Sequence, residues 1–311
     1  MSRIHEALKQ ARNGRGPVPL VEMPNPVAVS ASAPASSADQ ASAAEWMNLN
    51  LLPTQAAPSA TPPLTFTDGF EGLLKACTKR TWRLDPAYSV FSGKVPSIEC
   101  AEQFRKLRSK LYQIQANESL RTLLVTSTVP AEGKTFVALN LALAITRQHG
   151  RKVLLIDGDL RAPKLASCLG VPGTPGLTEF LCGAADEAAI VQTDPEGSLF
   201  FIPGGNMVAN PTEMLATERL QWLLGRMAPL FDWIIVDAPP VLPVSDAGVL
   251  AGHCDGVLVV VRAGSTAYDA VGTALTELRG KKLLGVVLNR VEVRDAYDAY
   301  PYYTDKGQEL A

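Results

Sequence analysis

Leu123–Asn140 reads LLVTSTVPAEGKTFVALN. An apolar, β-branched run enters a loop ending Glu132-Gly133-Lys134-Thr135, and a helix-forming stretch follows at once. Backbone N–H groups at the start of a helix, with the helix dipole behind them, cradle phosphate oxygens. This strand, loop and helix in immediate succession is the context a phosphate-binding P-loop requires. In that reading Thr128, Val129, Pro130, Ala131, Glu132, Gly133, Lys134, Thr135 and Phe136 surround a nucleotide. Lys134 places its ammonium between the β- and γ-phosphates, and the Thr135 hydroxyl ligates Mg²⁺. The fit to GxxxxGK[ST] is incomplete. Thr128 stands at the first glycine, and Ala131 at another position often held by glycine, a replacement that is tolerable if its φ is negative.

Two further stretches support the loop. Val153-Leu-Leu-Ile-Asp157-Gly-Asp159-Leu-Arg161 sets two carboxylates at the end of one apolar run, and Trp233-Ile-Ile-Val-Asp237-Ala-Pro239-Pro240 sets a third at the end of another. Open α/β sheets bind ligands outside the carboxyl ends of their strands, so the three acids are expected to converge on the loop. Asp237 is placed to hold Mg²⁺ through water. Asp157 is a candidate to accept a proton from an attacking hydroxyl or to orient a water, and Asp159 to bind the metal or position that base. Spacing alone does not order them. An acid at a strand end also caps the next helix, and that bland reading stands beside the catalytic one.

Around this centre, short runs rich in Leu and β-branched residues alternate with longer amphipathic stretches. Strands are predicted at 122–126, 153–156, 199–202, 233–236, 257–261 and 284–288. Helices are predicted at 98–115, 134–149, 211–227, 246–251 and 267–279, with Gly150 as a left-handed stop. Near-continuous apolar strands separated by helices indicate a mostly parallel sheet covered on both faces. The expected fold class is α/β, a three-layer P-loop NTPase fold occupying residues 97–293 and preceded by a disordered N-terminal arm.

Residues 1–15 are expected to form a short amphipathic helix. Residues 16–66 hold nine of the 23 prolines among many Ala and Ser, and no Lys or Arg lies between Arg15 and Lys75. That composition offers too little apolar area to offset chain entropy, so it reads as a linker. Within it Trp46–Leu52 is an apolar island, either a docking motif or a chance cluster. Residues 67–96 read as a connecting segment. Residues 294–311 form a polar, Pro-interrupted tail that holds four of the seven tyrosines, Tyr297, Tyr300, Tyr302 and Tyr303.

The 29 Lys and Arg against 31 Asp and Glu give no basic bias, so nucleic acid is not an expected partner. No apolar run approaches the roughly 18 residues of a membrane span, and no secretory leader is read at the N-terminus. Five dispersed cysteines fit neither a disulfide framework nor a zinc site. A soluble, cytoplasmic protein is the expectation.

At the loop and the strand-end acids the sequence resembles the deviant-Walker P-loop ATPases. Within them it is similar to the bacterial tyrosine kinases (BY-kinases) of capsule and exopolysaccharide synthesis, of the CpsD/CapB type, over about residues 97–303. Asp157-Gly-Asp159-Leu-Arg161-Ala-Pro163 resembles the family's second acidic motif, and Gly176–Gly183 the helix after it. Asn210-Pro211-Thr212-Glu213 resembles a further signature, although local capping explains it equally well. Glu102-x-x-Arg105-x-x-Arg108 resembles a subunit-contact helix, with an ordinary salt-bridged helix face as the plain alternative.

The resemblance implies an ATP- and Mg²⁺-dependent, non-specific protein-tyrosine kinase. Its catalytic residues would be Lys134, Asp157, Asp159 and Asp237, and its metal ligands Thr135, Asp159 and Asp237. Asn289 would contact the adenine. The tail tyrosines would be acceptors, modified in trans within a homo-oligomeric ring. Also implied are a membrane-anchored co-polymerase-type activator, a tyrosine phosphatase, and a location at the inner face of the membrane through that partner. Phosphates on the tail would repel it from an acid-lined site. Two alternatives compete: a ParA/MinD-type positioning ATPase, whose loop carries a lysine where Val129 stands, and a catalytically weak nucleotide-sensing scaffold of an export complex.

Overall fold

A computed structural model of the protein describes residues 69–91 and 98–291. The expected helix at 1–15, the linker at 16–66 with its Trp46–Leu52 island, and the tail at 294–311 with its four tyrosines lie outside the described residues.

The six predicted strands are all present: β2 (Thr122–Ser127), β3 (Val153–Asp157), β5 (Leu199–Ile202), β6 (Trp233–Asp237), β7 (Gly256–Arg262) and β8 (Leu283–Asn289). Two short strands, β1 (Thr78–Lys79) and β4 (Gln192–Thr193), extend one side. The sheet order is β1-β4-β5-β3-β6-β2-β7-β8, parallel throughout except for the β4–β5 pair. Alternation along each strand divides the core. Leu124, Ile156, Ile202, Val236 and Val259 pack on one face, and Leu123, Leu155, Phe201, Ile235 and Val260 on the other. Helices on both faces complete three layers.

The loop-side helices are α2 (Ile98–Asn117) and α3 (Lys134–Thr146). Helix α3 ends three residues before the predicted limit, and Gly150 (φ 75°) turns the chain beyond it. The single helix predicted at 211–227 is two, α7 (Pro211–Leu215) and α8 (Glu218–Met227). Thr217 between them is extended, and its hydroxyl donates to the Met214 carbonyl at 2.8 Å, diverting a helix acceptor. Helix α9 (Asp246–His253) follows β6, and α10 (Tyr268–Glu277) follows β7. Three short helices, α4 (Leu165–Leu169), α5 (Leu177–Leu181) and α6 (Glu187–Ile190), fill the region after β3.

The stretch read as a connecting segment is more structured than expected. It contributes α1 (Gly69–Ala76) and β1, with Phe70 edge-on to Phe200 and Phe231 and Leu73 fully buried. Further along, the Asn140 side chain of α3 accepts from Val90 N–H and donates to the Tyr88 carbonyl, both at 2.8 Å. This segment is thereby fastened to the P-loop helix.

Candidate active site

The site lies where β2, β3 and β6 end. Because β6 sits between the other two, Asp157 and Asp237 are register partners, and Gly158 N–H donates to the Asp237 carbonyl at 2.8 Å. Lys134, the first residue of α3, reaches Asp159 at 2.8 Å and Asp237 at 3.5 Å. Thr135 Oγ1 donates to Asp237 Oδ2 at 2.6 Å. Lys134, Thr135, Asp159 and Asp237 therefore form one contiguous cluster, as the strand-end argument requires.

Electrostatics differ among these groups. Burial pulls the Lys134 ammonium down, but Asp237 and Asp159 more than reverse this, and its pKa lies above the ordinary lysine value. Burial raises Asp237, opposed by Lys134 and by the Thr135 hydrogen bond. Burial, reinforced by the charge of Asp237, pushes the Asp157 carboxyl up to about 8. Asp157 Oδ2 accepts from the backbone N–H of Lys164 (3.0 Å) and Leu165 (2.9 Å), so it does cap α4. Its Oδ1 is buried without a hydrogen-bond partner among the described residues. Capping and a free acceptor thus reside on opposite oxygens of one carboxylate.

The P-loop is bent by two left-handed residues, Gly133 (φ 96°) and Ala131 (φ 66°). The negative φ that would make Ala131 a neutral replacement is not what the loop adopts; the turn into Glu132 forces it into the region that favours glycine. Glu132, read only as a nucleotide contact, is 1% exposed and holds the loop instead. Its Oε2 accepts from Val129 N–H at 2.8 Å, and its Oε1 from Arg262 N–H at 3.1 Å and from the Thr266 hydroxyl.

Asn289 is placed against the same loop. Its Nδ2 donates to the Glu132 carbonyl at 2.8 Å, so it acts as a buttress. An adenine contact would have to use its other amide hydrogen or the second lone pair of Oδ1, which already accepts from Arg290 N–H at 2.9 Å. A side chain at Gly133 would collide with that Nδ2, at 2.2 Å from the added Cβ.

A second network was not apparent from sequence spacing. Arg161 binds Asp246 through both Nε (2.7 Å) and Nη2 (3.0 Å), and Thr212 Oγ1 donates to the same carboxylate. The Asp246 side chain is fully buried. Thr212, read as a first-turn residue of a capped helix, therefore ties α7 and α9 to the second acidic motif.

The resemblance-based contact helix shows the plain geometry. Glu102 and Arg105 form an exposed pair at 2.8 Å, and Arg108 Nη1 turns inward to the Ala144 carbonyl at 2.6 Å. Arg108 is thus partly engaged within its own chain. A cavity of about 1740 Å³ opens over the loop, lined by α2, the P-loop, Asp159 and the end of β8. Its charged lining is not chiefly acidic, as expected, but mainly Lys and Arg: Asp157 and Asp237 lie beneath its surface. Three hard oxygen ligands, Thr135 Oγ1, Asp159 and Asp237, fit Mg²⁺, which completes its shell with phosphate and water. No cluster of three or more His, Cys, Asp or Glu poised for a metal occurs among the described residues.

Residues 123–300 match the CobQ/CobB/MinD/ParA nucleotide binding domain family. Tyrosine-protein kinase YwqD of Bacillus subtilis is 32% identical over 220 residues, 70% of this chain and 92% of that protein. The chain belongs to the bacterial tyrosine-protein kinases. Tyrosine-protein kinase CpsD of Streptococcus pneumoniae, 32% identical over 229 residues, is matched along 100% of its length and 72% of this chain. The kinase domain of Escherichia coli tyrosine kinase ETK superposes with a TM-score of 0.58 at 32% identity, covering 63% of this chain and 79% of that one. In this bacterial tyrosine kinase no described helix is long and apolar enough to cross a membrane.

Proposed function

We propose that this tyrosine kinase is an autokinase that uses ATP and Mg²⁺ to phosphorylate Tyr297, Tyr300, Tyr302 and Tyr303, in trans within an oligomer. Through that reaction it regulates exopolysaccharide polymerisation and export, together with a membrane-anchored activator and a phosphatase. The observation that carries the catalytic part is the contact of Lys134 with Asp159 and Asp237 beside Thr135, at the floor of the cavity of about 1740 Å³.

The phenol oxygen attacks the γ-phosphorus, the bond to the ADP oxygen breaks, and the phenolic proton passes to a carboxylate. Lys134 exchanges its carboxylate partners for phosphate oxygens and stabilises the charge that develops on them. Bound Mg²⁺, held by Thr135, Asp159 and Asp237, supplies further charge neutralisation. Asp157 is the favoured proton acceptor: its Oδ1 has no partner among the described residues and its pKa of about 8 suits general base catalysis. Because it lies beneath the cavity surface, the phenolic proton reaches it through an intervening water. Glu102 and Arg105 remain available for a subunit contact.

Mass spectrometry of the tail after incubation with Mg²⁺ and ATP tests the reading. Phosphotyrosine on the tail, absent from Lys134→Met, is the expected result. Equal phosphotyrosine in a tail-deleted chain would overturn the acceptor assignment.

A further inference from the structure

Half of the cations on the cavity lining are engaged. Lys134 is held by Asp159, Arg161 by Asp246, Arg105 by Glu102, and Arg108 by the Ala144 carbonyl. Lys106, Lys110, Lys164 and Arg290 line the same cavity, are exposed, and have no ion-pair partner among the described residues; the first three lie on α2 and beside the second acidic motif, and Arg290 just beyond the end of β8. Lys106 and Lys110 are four residues apart on α2, so their ammonium groups lie on one face and repel. That repulsion works against the helix, and an anion brought to the cavity relieves it.

The tail carries a matching pattern. Tyr297 and Tyr300 each follow an aspartate by two residues, as Asp295-Ala-Tyr297 and Asp298-Ala-Tyr300. Tyr302 and Tyr303 have Tyr300 and Pro301 at that position. In an extended peptide, residues two apart project from the same side and are separated by about 7 Å. A tyrosine directed into the cavity therefore sends an aspartate at that position toward the same wall. The described chain ends at Val291, itself on the lining and six residues short of Tyr297.

We propose that Lys106, Lys110 and Lys164 read an acidic residue two positions before the acceptor tyrosine. They thereby direct transfer to Tyr297 and Tyr300 ahead of Tyr302 and Tyr303. This rests on the autokinase reading and names the substrate class of its site: acidic, tyrosine-containing peptide, here the Asp295–Tyr300 segment.

The test is a time course of phosphate incorporation at each tyrosine, by mass spectrometry, in the dephosphorylated full chain with Mg²⁺ and ATP. In the wild type, Tyr297 and Tyr300 should be labelled first. Replacing Asp295→Asn and Asp298→Asn together should slow those two sites by about three-fold per lost ion pair, the range of exposed pairs, and leave Tyr302 and Tyr303 unchanged. Lys106→Glu with Lys110→Glu should act likewise, and adding Asp295→Lys with Asp298→Lys should restore the preference. Salt near 1 M, with a Debye length of about 3 Å, should erase it.

Equal initial rates at the four tyrosines, an unchanged preference in the asparagine variant, or a charge exchange that restores nothing would each overturn the proposal. A chain with no phosphotyrosine anywhere would instead contradict the autokinase reading itself.

Discussion

The two sides of the phosphate site are built on opposite rules. On the loop side the buried carboxylate of Glu132 has both oxygens occupied, by Val129 on one and by Arg262 and Thr266 on the other, and Asn289 closes the backbone beneath it. On the acidic side Asp157 has one oxygen committed to the start of α4 and one with no partner among the described residues, under the charge of Asp237. A fully satisfied polar group fixes geometry, whereas an unsatisfied buried acceptor raises the free energy of the resting state and is available for chemistry. Glu132 is therefore a holding group and Asp157, in the proposed mechanism, a working one, although both are buried carboxylates within the same site.

The hardest test of that division is Lys134→Met. Among the described residues the ammonium is the one cation touching both Asp159 and Asp237, and in the proposed mechanism its task is charge developed on transferred phosphate. Transfer to tyrosine should fall by about 10³-fold, the scale seen when a preorganised charge-stabilising group is lost. Initial rates with labelled ATP measure it. A loss below ten-fold would mean that the cluster is a scaffold.

Asp157→Asn comes next and has two readouts. As proton acceptor its loss should cost about 10²- to 10⁴-fold in rate. Stability should move the other way. The folded pKa of about 8 exceeds the ordinary 3.8, so between those values the folded state holds a proton that the unfolded chain releases. The carboxyl's contribution to stability is complete below about pH 4 and is lost as pH rises through 8. Asparagine has no such titration. Denaturant unfolding at pH 5 and pH 8 should show the variant gaining on the wild type at the higher pH. A difference independent of pH would place Asp157 among the holding groups.

Glu132→Gln probes the other side. All three side-chain partners are donors, so one face of the amide must meet a backbone N–H with its own N–H. Nucleotide affinity should fall by about ten-fold, the cost of one buried unpaired donor, with little change in kcat. Titration calorimetry with ADP and steady-state kinetics separate the two. A kcat loss with affinity intact would place Glu132 in the chemistry.

This contrast was only partly legible in the sequence. The central strands were, because burial on both faces makes Val153–Ile156 and Val257–Val261 continuous apolar runs. The strand-end acids followed from parallel topology. The two-residue strands β1 and β4 were not, since two polar residues carry no periodicity, and neither were helices as short as α4 and α6. The Arg161–Asp246–Thr212 network joins residues 85 and 34 positions apart, a pairing that no local pattern encodes. Glu132 was visible as a loop residue, but its role depends on Arg262 and Thr266, more than a hundred positions away.

Ala131→Gly is the smallest expected effect and the finest test of the loop side. At φ 66° the alanine Cβ crowds its own carbonyl, costing about 1–2 kcal/mol relative to the right-handed region. Glycine removes that strain but gives the unfolded chain more freedom, worth roughly 0.5–1 kcal/mol in the opposite direction. The net should be a gain of about 0.5–1 kcal/mol in unfolding free energy, read from the denaturant midpoint. Nucleotide affinity should stay within about two-fold, because Glu132 and Asn289, rather than the alanine, hold the loop's shape. If affinity fell instead while stability rose, the methyl group at 131 would be part of the holding machinery, and the loop would owe its geometry to backbone restriction as well as to the Glu132 carboxylate.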